Sequence, residues 1–324
     1  MKLFLLHNCY LQSGGEDSAF LAEALMLSSY GEEVIQYTKK NYSLTGVSKF
    51  PYAFKAIWSV RTKKSLDTLL VLERPQLAHF HNIFYEISPS GYYSCRNHDI
   101  PVVQTLHNYR LICPSAILFR NGQICEECLS SYFSMPGISN ACFHASKFAT
   151  AAISAISVIH RFVRTWEKLV DVYIVLSEFS KNTLISAGLP KNKIVVKPNF
   201  VFPDPGFSSQ VKKYALFVGR LMPEKGITTL LNAWRKCSTI PLEIIGGGLL
   251  EKDIIKFIEK NNSTKIKYRG HLLHQQVLSC IQEANFLVFP SQCYENFPLV
   301  IIEAFACGVP VIASRLGAMA EIVE

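Results

Sequence analysis

Short apolar runs take turns with helical patterns along almost the whole chain, and that alternation limits what it can fold into. Runs at 3–6, 33–37, 77–80, 101–106, 172–176 and 194–197 read as buried strands, with helical stretches between them that include 16–29 and 178–187. A stretch with three prolines and neither pattern follows at 198–210, and reads as a linker. The alternation then resumes at 214–218, 242–245, 266–268, 286–289 and 310–313. Strand and helix in turn is the pattern of a parallel sheet with helices on both faces, so two series predict two doubly wound α/β domains. The expected division is 1–205 and 206–324, with a loop-rich insertion at 110–145. A length of 324 residues, 49% hydrophobic and 18% charged, is enough for two cores and excludes a disordered chain.

Charge and cysteine usage narrow the partners. The net charge of +8 suits an anionic partner or surface, but no basic run or interleaving of basic and aromatic residues marks a nucleic-acid module. The opening MKLFLLHNCY is interrupted by polar residues at His7 and reads as a first buried strand rather than a signal peptide. The stretch 148–159 is too short and too serine-rich to span a bilayer. Ten cysteines without such a signal point to a reducing, cytoplasmic setting and against a disulfide framework.

Ligands of doubly wound sheets gather at the carboxyl ends of strands, so chemistry is sought there. After the first strand, Gly14 and Gly15 precede a helix whose start carries Glu16 and Asp17. Such a pair lets backbone N–H groups approach a ligand, or simply makes a tight turn. His79, His81 and His107 stand at two further strand ends; His107 is the preferred candidate among them, although taken alone a histidine that merely bonds a loop backbone is the plainer reading. After 214–218 comes GRLMPEKG, where Arg220 and Lys225 bracket a turn before a helix that begins near Glu224. A flat guanidinium fork and a compact ammonium together suit a pyrophosphate; a solvated turn is the plain alternative. The glycine triplet 246–248 adds a flexible loop at another strand end.

In FLVFPSQCYENFPLVIIE, strand, loop and helix follow one another. Asn296 or Phe297 is expected at the N-cap, Pro298 in the first turn, and Gly308 with Pro310 at the stop. The unpaired N–H groups of a helix start favour an anion. Glu295 and Glu303 flank that spot, spaced to hold opposite ends of an elongated ligand, unless they are solvated glutamates on an ordinary amphipathic helix.

Two other stretches leave alternatives open. The insertion holds Cys113, Cys125, Cys128 and Cys142, the central pair as C-x-x-C, which could close a tetrahedral zinc site or remain free thiols. The stretch 146–170 is apolar on one side with His160, Arg161, Arg164 and Lys168 clustered late, a helix that packs on its own domain or lies on an anionic membrane.

The glutamate pair in ENFPLVIIEAFACGVPVIAS, FVGRL followed by EKG, and HNYRLICP followed by RNG and CEEC resemble the family 4 retaining glycosyltransferases, in a bacterial subgroup. The resemblance implies a GT-B fold, two Rossmann-like domains facing across a cleft, and transfer of a sugar from a nucleoside diphosphate sugar to an acceptor hydroxyl with retained configuration. It assigns Glu295 to the transferred sugar, Glu303 to the ribose, His107 to the sugar near its 6-position, and Arg220 and Lys225 to the diphosphate. Gly14 and Gly15 fall where a glycine-rich loop lies against the donor phosphates, and Asn296, Phe297 and Pro298 at the helix start beneath them. Asn296 departs from the glycine usual there; asparagine tolerates left-handed backbone, so the loop shape can survive. No D-x-D pair stands at a strand end, so neither a metal nor another cofactor is expected. The resemblance further implies a glycan or lipid-linked acceptor, a role in surface polysaccharide or lipid-linked glycan synthesis, and peripheral contact with the inner membrane face. It also implies further C-terminal sequence beyond residue 324, making the second domain incomplete. A noncatalytic nucleotide-sugar-binding subunit is the second reading. An oxidoreductase on a similar sheet is the third, but it lacks G-x-G-x-x-G between strand and helix.

Overall fold

Six parallel strands build the first sheet of the protein, a computed structural model that describes residues 1–11, 14–41, 50–207, 212–236, 239–261 and 264–323. The elements run β1 (Lys2–Cys9), α1 (Gly15–Ser29), β2 (Glu33–Lys40), α2 (Phe50–Ile57), α3 (Val60–Glu73), β3 (Leu77–Phe80), α4 (Ser90–Asn97) and β4 (Val102–Leu106). A two-stranded antiparallel hairpin, β5 (Phe119–Arg120) and β6 (Gln123–Ile124), follows, then α5 (Met135–Ser139), α6 (Lys147–Phe162), α7 (Thr165–Lys168), β7 (Val172–Val175), α8 (Glu178–Ser186) and β8 (Ile194–Val196). The sheet order is β2-β1-β3-β4-β7-β8, so the strand sequence reverses beside β1. β1 is covered on both faces, as a central parallel strand must be, and even its polar His7 and Asn8 are fully buried.

A second parallel sheet is assembled from β9 (Tyr214–Val218), α9 (Ile227–Lys236), β10 (Leu242–Ile245), α10 (Glu251–Lys260), β11 (Ile266–Tyr268), α11 (His274–Gln282), β12 (Ala284–Phe289), α12 (Leu299–Ala306), β13 (Val311–Ala313) and α13 (Ala318–Val323). Its order, β11-β10-β9-β12-β13, reverses between β9 and β12. Alternate residues of β9 feed two cores. Tyr214 and Leu216 pack with Leu287, Ile301 and Met319 on one face, while Ala215 and Phe217 pack with Leu230, Ile254 and Val288 on the other. The fold is therefore α/β with two Rossmann-like parallel sheets.

By internal packing the chain divides into residues 1–118 with 125–199, and residues 119–124 with 200–324. That division falls at Asn199/Phe200, a few residues before the expected one, and assigns the hairpin of the insertion to the second unit.

Three local expectations need correction. The stretch 146–170 is two helices, α6 and α7, because Arg164 takes left-handed backbone angles (φ 60°) between them. The helix after GRLMPEKG begins at Ile227, following a single 3-10 turn, Pro223–Lys225, that Gly226 terminates at φ 72°. At α12, Pro298 occupies the N-cap with extended angles, and the helix proper starts at Leu299. Its stop is as expected, with Gly308 left-handed (φ 69°) after Cys307.

Candidate functional site

In the second unit, the turn after β9 and the loop after β12 flank the strand-order reversal, and two glycines hold them in place. A Cβ on Gly246 would lie 1.9 Å from the carbonyl oxygen of Gly219, and Gly246 itself has φ 142°. The glycine triplet therefore fits closely beneath the GRL turn, tied to it by Leu221 N–H donating to the Gly247 carbonyl at 2.9 Å. Gly226, also left-handed, faces the Pro290 carbonyl, which a Cβ would meet at 1.9 Å. There Gln292 N–H and the Ser291 hydroxyl both donate to the Glu224 carbonyl, at 2.8 and 3.2 Å. Close backbone approach thus sets the turn carrying Lys225 against the loop carrying Glu295.

Lys225 Nζ donates to Glu295 Oε1 at 2.5 Å, and the Ser291 hydroxyl donates to the same oxygen at 2.6 Å. Burial alone would raise the Glu295 carboxyl, but the Lys225 charge and hydrogen bond, the Ser291 hydroxyl and the Arg220 charge outweigh it and hold the carboxyl below its usual range. Arg220 is exposed beside this pair. Asn296 is buried at the foot of α12. Glu303, two turns into α12, is 8% exposed, which rules out the solvated glutamate considered from sequence. Its Oε1 engages Nε2 of His274 at 2.8 Å, at the start of α11. The hydrogen bond to Glu303 outweighs desolvation and raises the His274 pKa. Sequence reasoning passed over His274, since a lone histidine opening a polar helix carries no signal until its partner is known. Arg220, Lys225, Glu295, Asn296 and Glu303 are thus gathered on one edge of one sheet, with Phe297 and Pro298 leading into α12.

In the first unit the structure departs from the expected glycine loop. Gly14 has ordinary extended angles, and a Cβ there would meet nothing within 4 Å. Its N–H is already engaged by Asp17 Oδ2 at 2.8 Å, and Gly15 is the first residue of α1. Nothing here demands glycine, and Gln12 and Ser13 lie outside the described residues.

His107 follows β4 and lines a small depression with His81, Asn82, Gln104, Asn108 and Arg110. It belongs to a buried network. His107 Nε2 meets His81 Nδ1 at 2.9 Å, with the rings stacked at 17°. Glu23, from the middle of α1, receives His79 Nδ1 at 2.8 Å and Lys197 Nζ at 3.2 Å, and lies 3.9 Å from His81 Nε2. Burial opposes ionisation of Glu23, but His79 and Lys197 outweigh it and bring its pKa to about 2. Burial chiefly, with neighbouring His7 and His79, prevails over the Glu16 and Glu23 carboxylates and brings His107 down to about 4. Asn108 donates to Glu16 at 2.7 Å, and Arg110 spends its guanidinium on the Pro114 carbonyl and the Phe143 ring.

Among the described residues, the groups spaced as metal ligands are His7–Cys9–Asp17 and Glu23–His79–His81; His7 already bonds Asp17, and Glu23 already takes His79 and Lys197. Cys113, Cys125, Cys128 and Cys142 do not draw together to ligand spacing. Burial, then the nearby thiols, pushes the Cys128 thiol up to about 11, so it is protonated at neutral pH. No described helix is long and apolar enough to cross a membrane.

Comparison with known proteins places the chain in a family. Residues 28–204 match the model of Glycosyltransferase Family 4, and residues 203–324 that of Glycosyl transferases group 1. The glycosyltransferase MJ1178 of Methanocaldococcus jannaschii is 36% identical over 153 residues, 47% of this chain and 42% of that protein. O-antigen chain mannosyltransferase B of Escherichia coli is 32% identical over 117 residues, 34% of this chain and 30% of that protein. The matches thus span less than half the length of either relative. The crystal structure of Anabaena HepE in complex with UDP superposes with a TM-score of 0.62 at 17% identity, covering 100% of this chain and 83% of that one. With more than half of its residues inside the family 4 model, the chain belongs to glycosyltransferase family 4.

Proposed function

We propose that the protein transfers a sugar from a nucleoside diphosphate sugar to an acceptor hydroxyl, with retention of anomeric configuration. The observation that carries this reading is the cluster of Arg220, Lys225, Glu295 and the start of α12 on one edge of the second sheet. As the leaving diphosphate departs, negative charge grows on its oxygens, which two cations and a helix start stabilise more in the transition state than in the ground state. Lys225 gives one donor to Glu295 and keeps two for phosphate oxygens. Glu295 then serves both to orient Lys225 and to receive sugar hydroxyls. Glu303 holds the ribose through the oxygen that His274 leaves open, and Asn296, Phe297 and Pro298 shape the entry to α12. Gly14 and Gly15 border the phosphates, and His107 takes the sugar. Arg and Lys stand where other transferases use a divalent ion, so no cofactor is required.

HepE binding of UDP supports a nucleotide-sugar donor, and likeness to an O-antigen mannosyltransferase supports surface polysaccharide or lipid-linked glycan synthesis. Exposed Phe148 and Phe162 on α6, beside Arg161, suit peripheral contact with an anionic inner-membrane face.

The test is turnover across UDP-, GDP- and ADP-sugars with EDTA present and a lipid-linked acceptor mixture. One donor should be consumed without metal, with an α-linked product from an α-linked donor by NMR. Lys225→Ala should lower kcat/KM by about 10²–10³, and Glu303→Ala should chiefly weaken nucleotide binding. Binding of several donors with no turnover would instead support a noncatalytic nucleotide-sugar-binding subunit.

A further inference from the structure

Glu23, His79 and His81 carry no role in the transfer proposed above, yet they form one buried chain that ends on His107. Glu23 is ionised, so both of its oxygens only accept. His79 therefore points an Nδ1–H at Oε1 across 2.8 Å, while Lys197 supports the charge of the other oxygen. His81 is fully enclosed, and burial holds it neutral, with one N–H to place. Its Nε2 has no hydrogen-bond partner, and the nearest charge it faces is Glu23 Oε2 at 3.9 Å. A lone pair aimed at a carboxylate is repelled and an N–H is attracted, so the proton sits on Nε2. His81 Nδ1 is then the acceptor in the 2.9 Å contact with His107, and His107 Nε2 is the donor. A neutral His107 has no second proton, which leaves its Nδ1 bare. Among the described residues that nitrogen has no hydrogen-bonding partner, and its ring lines the open depression.

We propose that Glu23 and His81 are positioning residues that set the tautomer of His107, so that His107 presents an acceptor and recognises a hydrogen-bond-donating hydroxyl of the substrate rather than an anionic oxygen. The substrate clause rests on the transferase reading; the tautomer rests on the network alone. A histidine with an outward N–H would hold a phosphate or carbonyl oxygen, whereas a bare nitrogen turns these away and orients a sugar hydroxyl by accepting its O–H hydrogen bond.

The experiment is nitrogen-15 NMR of the histidine side chains in the full chain near neutral pH, with assignment by single substitution. The expected spectrum shows both His81 and His107 protonated at Nε2 and bare at Nδ1. A proton on His107 Nδ1 overturns the proposal, and does so even if sugar transfer is observed. In Glu23→Gln the single tautomer should give way to a mixture, with kcat/KM falling about tenfold while UDP affinity is retained. An unchanged His107 tautomer in that variant also overturns it. The expected spectrum from a protein that transfers no sugar would keep the tautomer and remove the transferase reading, so the two failures are told apart.

Discussion

Glu23 illustrates how much one side chain in the middle of a helix can govern. Its folded pKa of about 2 lies below the ordinary 4.5, so it contributes stability that is fully present above pH 4.5 and is lost as pH falls toward 2. The shift corresponds to roughly 3 kcal/mol at neutral pH. Urea unfolding of Glu23→Gln should show a loss of that order at pH 7, shrinking to little at pH 2.5; an equal loss at both would contradict the ionic origin. His107 makes a second pH statement. Held near 4, it stays neutral through the range where an ordinary histidine titrates, so kcat/KM should show no inflection near 6.5 that His107→Asn removes. Neither property was legible in the sequence. His107 drew notice because it follows a strand end, but Glu23 looks like any glutamate on an amphipathic helix, and its partners His79 and Lys197 come from β3 and the end of β8. Lys225 and Arg220 drew notice in the sequence because residue type and strand-end location coincided within one short motif.

Elements were read best where pattern and packing agree. β9, β10 and β11 occupy the residues that their apolar runs mark out, because β9 and β10 feed the cores on both faces and β11 feeds one of them. The break between α6 and α7 was missed because nothing at Arg164 forbids a helix; only tertiary packing sets its left-handed angles. Gly14 meets nothing that would exclude a side chain, while Gly226, Gly246 and Gly248 each face a carbonyl that leaves no room for a Cβ, a fact that depends on residues distant in sequence. Gly226→Ala should cost at least about 2 kcal/mol through its positive φ and the clash with Pro290, and should displace Lys225 from Glu295. Both are checked by denaturant unfolding and donor turnover, and wild-type values would refute the close approach. Ile301, fully buried on α12, offers a different lever. Ile301→Ala should cost about 2–5 kcal/mol and weaken nucleotide binding through loosening of the helix that bears Glu303, without removing any ligand contact.

At the scale of the whole molecule, two sheets with separate cores predict two cooperative transitions rather than one. In calorimetry, UDP should raise only the transition of the unit that holds Lys225 and Glu303, and Gly226→Ala should lower that same transition. A single transition shifted as a whole would show that the two cores melt together. The close fit of Gly246 under Gly219, and of Gly226 under Pro290, bears on how such a protein can change its specificity. At these two glycines the turn assigned to the diphosphate is held by main chain against main chain, with no side chain at the point of contact to vary. Mutation can damage that turn but cannot retune it, so preference for a different nucleotide or sugar has to be acquired elsewhere. Gly247, where an added Cβ meets nothing, and His274, which shares Glu303, are positions at which a selection for new donors has room to work.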